Sequence, residues 1–325
     1  MFIFLVDLCL LCTFAICLRT EELVIMRPEL EDKVIASQLL IRHAYRHAKW
    51  QGEELELAYS GGKDSDVLLD LCRTSNPAVV VRPIHRCTTI DPSGTLKHCL
   101  DNGVEILRPR KNFAQCILQS GFPTMFTRHC CGELKEYAVL DYVLVGVRKS
   151  ESVKRAKRYT CDEDLVTYNG RGRAMQYYPL LNWTDEDIAE YIQERGIKCH
   201  PLYYDEQGNF HVERRLGCCG CPLQYYKKRI EDFKRHPKFV RFWCRYGQRY
   251  LDTHPDVKTH EYFDDVFEWF TCNLFFTSIE EFRKEWPRMS EIGGGVSLSL
   301  FDDAENRQTC KQFLESYFGI SLDGL

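Results

Sequence analysis

Six consecutive residues, Ser60-Gly61-Gly62-Lys63-Asp64-Ser65, bring together two hydroxyls, a glycine pair, a cation and a carboxylate where an apolar run gives way to a helical pattern. Glycine lets a backbone approach an anion closely, and the N–H groups at a helix start carry the positive end of its dipole, so the group reads as a phosphate cradle. Ser60 and Ser65 supply hydroxyls and Lys63 a cation. Asp64 stands at the helix mouth, where it can cap the helix or hold a magnesium ion on the phosphates. A Ser-Gly-Gly turn alone is ordinary; the Lys-Asp-Ser after it and the β-run before it point to phosphate. The longer loop spacing G-x-x-x-x-G-K-[ST] is missing.

Four cysteines form a second group, Cys130 and Cys131 side by side and Cys218 with Cys221 in a C-x-x-C. Two pairs of thiolates are enough for a zinc ion or an iron–sulfur cluster, and reduced core cysteines are the plain alternative. Cys219 leaves open which thiols of the second pair ligate. A third group is the stretch Gly146 to Arg158, with six basic residues against one acidic. Arg148 and Arg155 offer planar forks for a second phosphate or a sulfate, although an exposed basic helix has the same composition.

These groups need elements to hold them. Leu55 onward reads as a buried strand running into the loop, followed by a helix Asp66 to Cys72; further strands are expected at Val79–His85, Glu105–Pro109 and Tyr142–Arg148. Helices fill the intervals at Gly94–Asn102, Phe113–Ser120 and Glu133–Leu140, after an amphipathic helix Pro28–Trp50. Such alternation predicts a Rossmann-like, doubly wound parallel α/β sheet, which binds ligands at the carboxyl ends of its strands. Ser60, the stretch from Thr89 to Asp91, and Arg148 all fall at such ends, so Asp91 joins the nucleotide-site candidates.

With 325 residues, 44% hydrophobic and 28% charged, the chain can bury a full core and form one large domain plus an accessory region. Residues 26–221 are expected to form the nucleotide domain and 222–325 a helical C-terminal extension. The net charge of -4 excludes a generally basic nucleic-acid binder. Charge is uneven, however: Arg214 to Arg249 holds eleven Lys/Arg against two Asp/Glu, and Asp252 to Leu325 six against fifteen. Seventeen cysteines in a long α/β pattern indicate metal binding in a reducing compartment rather than a secreted disulfide framework. Residues 1–25 hold the apolar run Phe2 to Leu18, interrupted by Asp7; a start at Met26, a membrane anchor and a signal segment all fit it.

The loop resembles the SGGxDS loop of the PP-loop, or N-type ATP pyrophosphatase, superfamily, whose members act at the α-phosphate of adenine nucleotides. Gly146, Arg148, Glu151, Ser152, Arg155 and Ala156 resemble the G-x-R-x-x-E-S-x-x-R-A motif of the phosphoadenosine phosphosulfate reductase family. The segment Tyr178 to Tyr204, with Trp183 and Thr184 and the Pro-Leu-Tyr turn at its end, looks like that family's next helix, and the likeness runs from about Leu55 to Tyr250. The cysteine pairs match the CC…CxxC pattern that holds a 4Fe–4S cluster in assimilatory adenylylsulfate reductases, with Lys135 in the place of a lysine that balances cluster charge. The family's C-terminal E-C-G-L-H motif, whose cysteine attacks the sulfonucleotide, is missing; the last cysteine is Cys310 in NRQTCKQF.

The resemblance implies a cytoplasmic enzyme of sulfur metabolism that binds adenylylsulfate, its 3'-phosphorylated form or ATP, without a membrane. One expected reaction is sulfonucleotide reduction, an oxidoreductase step drawing on a thiol reductant. Another is a transferase step in which ATP and magnesium adenylate an acceptor such as a nucleic acid and sulfur displaces AMP. The basic stretch Arg214 to Arg249, interleaved with Tyr225, Tyr226, Phe239, Phe242 and Trp243, suits a nucleic-acid acceptor, while aromatics at that spacing also build cores. A nucleotide-binding protein without chemistry is the third expectation.

Overall fold

The computed structural model of the chain describes residues 26–168, 172–289 and 308–325. The apolar N-terminal run discussed above lies outside the described residues. Among the described residues no helix is long and apolar enough to cross a membrane.

Helix α1 (Pro28–Trp50) opens with proline and two glutamates in its first turn, and buries Leu30, Ser37, Ile41, Ala44 and Ala48 along one stripe. Strand β1 (Leu55–Ala58) follows, then α2 (Lys63–Arg73), β2 (Arg82–Arg86), α3 (Thr95–Asp101), β3 (Glu105–Leu107), α4 (Phe113–Ser120), α5 (His129–Leu134) and β4 (Tyr142–Val145). A short α6 (Val153–Arg158) leads to a hairpin of β5 (Glu163–Tyr168) and β6 (Gly172–Tyr177), and α7 (Asp185–Arg195) completes this part. The six strands lie in the order β3-β2-β1-β4-β6-β5, all parallel except the edge strand β5. The chain winds outward from β1 through β2 to β3 and then returns to place β4 on the other side of β1. That reversal is the switch point where doubly wound sheets open a crevice at their carboxyl ends.

Four local expectations shift. The second strand is Arg82–Arg86 rather than Val79–His85, and the fourth stops at Val145 because Gly146 leaves the sheet to press against the loop after β1. The helix expected at Glu133–Leu140 is instead α5, His129–Leu134. Beyond it, Arg86 donates from Nε to the Tyr137 carbonyl at 2.7 Å and from Nη2 to the Ala138 carbonyl at 2.7 Å, and Ala138 has a φ of 47°. Arg86 is itself clamped to the fully buried Glu56, so carbonyls a longer helix would use internally are turned to the sheet. Asp64 is the second residue of α2 rather than its cap, since the helix already begins at Lys63 with Gly62 as N-cap.

The remaining helices are α8 (Tyr226–Arg235), α9 (Lys238–Thr253), α10 (Thr259–Tyr262), α11 (Val266–Phe275), α12 (Ile279–Met289) and α13 (Cys310–Phe318). Among the described residues two large hydrophobic cores form, beside two smaller clusters. One lies between the sheet and α1, α2 and α7, and includes Leu57, Leu68, Trp183 and Tyr191. The other joins Phe113, Ile117 and Leu134 of α4 and α5 to Phe233, Trp243, Phe270 and Leu314 of the C-terminal helices. The C-terminal helices therefore form one wall of whatever α4 and α5 carry.

Candidate functional site

The loop after β1 sits at the switch point. Tyr59 continues the ladder by donating to the Ile84 carbonyl at 2.9 Å, and the chain then turns through Gly61 at φ 81°. A Cβ on Gly61 would lie 3.1 Å from Thr95 Cγ2 and 3.3 Å from Leu216 Cδ2, so the position demands glycine both for its dihedral and for its crowding. Ser65 Oγ donates to the Gly62 carbonyl at 2.6 Å, the Gly62 amide donates to Ser60 Oγ at 3.2 Å, and the two serine hydroxyls are 3.3 Å apart. The loop is thereby held in one shape around the start of α2.

Charge around the loop is balanced through Asp64. Its Oδ2 accepts from Lys63 Nζ at 3.2 Å and its Oδ1 from Arg148 Nε at 2.7 Å. Arg148 is buried, and its remaining donors reach Asp185 Oδ1 at 2.6 Å, Ser150 Oγ at 2.8 Å and the Trp183 carbonyl at 3.5 Å. It is a strut from the loop to the first turn of α7. Gly146 permits this approach, because a Cβ there would stand 3.3 Å from the Asp64 carbonyl oxygen.

Arg155 is half-exposed and paired with Glu151, whose backbone carbonyl accepts from Arg215 Nη2 at 2.8 Å. Partial burial, followed by the neighbouring Arg215 charge, lowers the Arg155 pKa from its ordinary value. Two guanidinium groups thus gather at Glu151, Arg155 on its carboxylate and Arg215 on its backbone carbonyl, an arrangement that favours a further anion. Asp91 is turned inward: its two oxygens accept from the Thr88 amide and the Thr88 hydroxyl, each at 2.7 Å. Burial works against its ionisation, but the His85 imidazole 3.8 Å away and the hydrogen bonds from Thr88 outweigh this and hold its carboxyl below the usual range.

Cys130, Cys131, Cys218 and Cys221 line one tight pocket with a free volume of about 20 Å³, together with Lys135 and the apolar walls Ile90, Phe113 and Trp243. Helix α5 carries the first pair. The second sits on a turn fixed by the Cys219 amide on the Ile90 carbonyl at 2.9 Å and the Cys221 amide on the Cys218 carbonyl at 3.1 Å. Gly220 allows that turn: its φ is 75° and a Cβ would fall 2.3 Å from Phe233 Cζ. The Cys218 thiol lies 3.5 Å from Thr88 Oγ1, while Cys219 is wholly buried outside the pocket lining.

Within the pair, a hydrogen bond from Cys130 pulls the Cys131 thiol down and leaves Cys130 pushed up. The Lys135 ammonium is raised, first by Cys218 beside it. Among the described residues no group of three or more His, Cys, Asp or Glu is drawn together closely enough for a single metal ion. Cys310 is sealed in an apolar cluster with Phe263, Cys272 and Phe282, and burial pushes its thiol up.

Three contributors were not singled out by sequence motifs. Tyr203, buried under the loop, accepts from the Leu216 amide at 3.3 Å and lies beneath Lys63, whose Nζ is 5.6 Å from its ring centroid. Leu216 packs on Gly61 and Gly62, and Asp185 anchors Arg148. Their only signal was position within the Tyr178 to Tyr204 segment and its sequel.

A family model described as the phosphoadenosine phosphosulfate reductase domain matches residues 54–224. A 37.8 kDa protein of Escherichia phage 186 is 33% identical over 152 residues, covering 42% of this chain and 43% of the phage protein. Sulfate adenylyltransferase subunit 2 of Rhizobium etli is 29% identical over 205 residues, covering 53% of this chain and 64% of the subunit. The match therefore spans less than two thirds of either relative. Among solved structures, the phosphoadenylyl-sulfate reductase of Candida auris in its phosphate complex aligns at a TM-score of 0.39 and 17% identity, over 60% of this chain and 96% of its own. The U34-tRNA thiolase NcsA of Methanococcus maripaludis, with its [4Fe-4S] cluster, aligns at 0.37 and 14% identity, over 70% and 80%. With more than half of its residues inside the matched stretch, and with the loop, the Gly146–Ala156 motif and both cysteine pairs within it, the chain belongs to the phosphoadenosine phosphosulfate reductase domain family.

Proposed function

We propose that this chain binds ATP with magnesium on the Ser60–Ser65 loop and adenylates an acceptor for sulfur transfer, in a cytoplasmic setting. The observation that carries the reading is a shared wall: Leu216 packs on Gly61 and Gly62, and two residues further on Cys218 enters the cysteine pocket. Two residues of chain span at most about 7 Å, so a nucleotide on the loop and a centre in the pocket would be neighbours. All described cysteines are free thiols, as a reducing compartment requires.

In the adenylation step an acceptor oxygen attacks the α-phosphorus, the bond from that phosphorus to the bridging oxygen breaks, and pyrophosphate leaves with the electron pair. Hydrosulfide then attacks the activated atom, a bond to sulfur forms as the bond to the acceptor oxygen breaks, and AMP leaves with that oxygen. Ser60, Gly61, Gly62 and Ser65 would cradle the phosphates, and Lys63 and Asp64 would place them or their magnesium. Arg155 with Arg215 would stabilise the departing charge, while Arg148 is a positioning residue that holds Asp64. Phosphoryl chemistry of this kind depends on positioning and charge stabilisation more than on a protein nucleophile.

Cys130, Cys131, Cys218 and Cys221 would hold a 4Fe–4S cluster. Four soft donors line one apolar-walled pocket and Lys135 offsets negative charge, a donor chemistry suited to an iron–sulfur centre. Such a cluster, when bound, supplies redox capacity or a site for sulfur beside the nucleotide.

Sulfonucleotide reduction would use the same loop but needs an accessible attacking thiol. Four cysteines line the pocket, Cys310 is buried with a raised pKa, and Cys161 is the exposed thiol among the described residues; adenylation asks for no protein thiol nucleophile and is the reading we favour. Parallel titrations of anaerobically purified protein with ATP-magnesium and adenylylsulfate test this. Preference for ATP-magnesium is expected; selective adenylylsulfate binding would return the chain to reductase chemistry. Binding without any product across candidate acceptors would indicate a protein that only senses nucleotide.

A further inference from the structure

Helix α9 lies beyond the matched residues 54–224 and presents two faces of opposite character. Val240, Trp243, Cys244, Gly247 and Leu251 are buried. A Cβ on Gly247 would fall 2.4 Å from Phe122 Cζ, so this face is seated closely and the helix is fixed in place. On the other side Lys238, Arg241 and Arg245 line a groove of about 270 Å³ with the half-buried rings of Phe239, Phe242 and Tyr246. Arg249 continues the basic row, its guanidinium 5.5 Å from the Tyr246 ring centroid.

Three of the four cations of this face have no carboxylate partner among the described residues. Lys238, Arg245 and Arg249 are exposed and pair with no carboxylate among the described residues, and Arg241 donates only to the backbone carbonyls of Ser321 and Asp323, each at 2.9 Å. The rings form a continuous row: Phe239 and Phe242 have centroids 6.3 Å apart and Phe242 and Tyr246 4.8 Å. Phe242 in turn stacks on Phe113, which lines the cysteine pocket.

We propose that this face of α9 binds a single-stranded polynucleotide, with phosphates on the Lys238–Arg249 row and bases stacked on the adjoining aromatic row. A track of cations beside accessible rings is the recognition chemistry of single strands, because every base offers a π-face once it is not paired. A duplex hides those faces, and an acidic peptide has nothing to stack on the rings. The proposal deepens the adenylation reading by naming the class of acceptor, but strand binding itself requires neither ATP nor a cluster.

The test uses the full-length protein and fluorescence anisotropy with labelled 12-nucleotide single strands of RNA and of DNA, the same sequence as a duplex, and polyglutamate. Single strands of at least one sugar should bind more tightly than the duplex and polyglutamate. The triple variant K238E/R245E/R249E should weaken binding about 30-fold or more and flatten the slope of log affinity against log salt by about 2, at ~0.7 per phosphate contact. Tyr246→Ala should cost about tenfold while leaving the salt slope unchanged. Equal binding of duplex or polyglutamate, an unaffected triple variant, or no single-strand binding at low salt would overturn the inference. ATP-magnesium titration of the wild type, set beside its strand titration, separates the two claims. Retained nucleotide affinity with failed strand binding sinks only the surface, whereas strand binding without nucleotide affinity sinks the adenylation reading.

Discussion

The Ser60–Ser65 loop and the cysteine pocket are neighbours built by different means. The loop is fixed by its own residues: a positive-φ glycine, two serines bonded to the turn and a helix that starts at once. The pocket has cysteines from two distant segments, walls from α4 and α9, and a hinge-like Gly220 pressed on Phe233 of α8. A site of the first kind tolerates change elsewhere in the fold, while one of the second kind depends on the packing of the whole C-terminal half. The Leu216–Cys221 segment joins them, while the Arg148 strut ties the loop to α7.

That contrast can be broken at the strut. Arg148→Ala would leave Asp64 and Asp185 facing a buried gap, and should destabilise the fold by about 3 kcal/mol, within the range for breaking a buried pair. Denaturant unfolding should show it, with nucleotide affinity falling together with stability. Unchanged stability would mean that Arg148 is not holding the loop.

A smaller effect should separate the two regions. Gly220→Ala forces a side chain into Phe233 at a positive φ, and should cost roughly 2 kcal/mol. Cysteine-pocket properties, read as bound iron after anaerobic reconstitution, should suffer most, while ATP-magnesium affinity stays within about threefold. Equal loss of both would make loop and pocket one cooperative unit.

How much could be read beforehand follows the same division. Ser60 to Ser65 was legible because strand, turn and helix start are contiguous, and Phe113–Ser120 emerged with its expected limits because Asn112 and Gln115 form a capping box. The helix expected over Glu133–Leu140 was displaced by Arg86, whose demand on the Tyr137 and Ala138 carbonyls comes from across the sheet. Strand β5 went unread because most of its residues are exposed and carry no strand-like alternation. Tyr203 and Leu216 escaped notice because only tertiary packing brings them under the loop. Arg148 was legible as a site residue, but its tie to Asp185 was not.

The mildest substitution sharpens the loop side. Tyr203→Phe removes the hydroxyl that accepts from Leu216 while keeping the ring under Lys63, and should cost about 1 kcal/mol. Nucleotide affinity, followed by calorimetry, should fall by less than tenfold; no change at all would show that the Leu216 segment is held by packing alone.

The central claim is that loop and pocket form one site. Its most direct test is to titrate the reconstituted, reduced protein with ATP-magnesium while recording the electron paramagnetic resonance spectrum, with Cys130→Ser as the control. The account predicts about four irons per chain in the wild type, few in the variant, and a spectrum that shifts as nucleotide saturates. An iron-loaded protein whose spectrum ignores saturating nucleotide, or a wild type that takes up no iron, would contradict it.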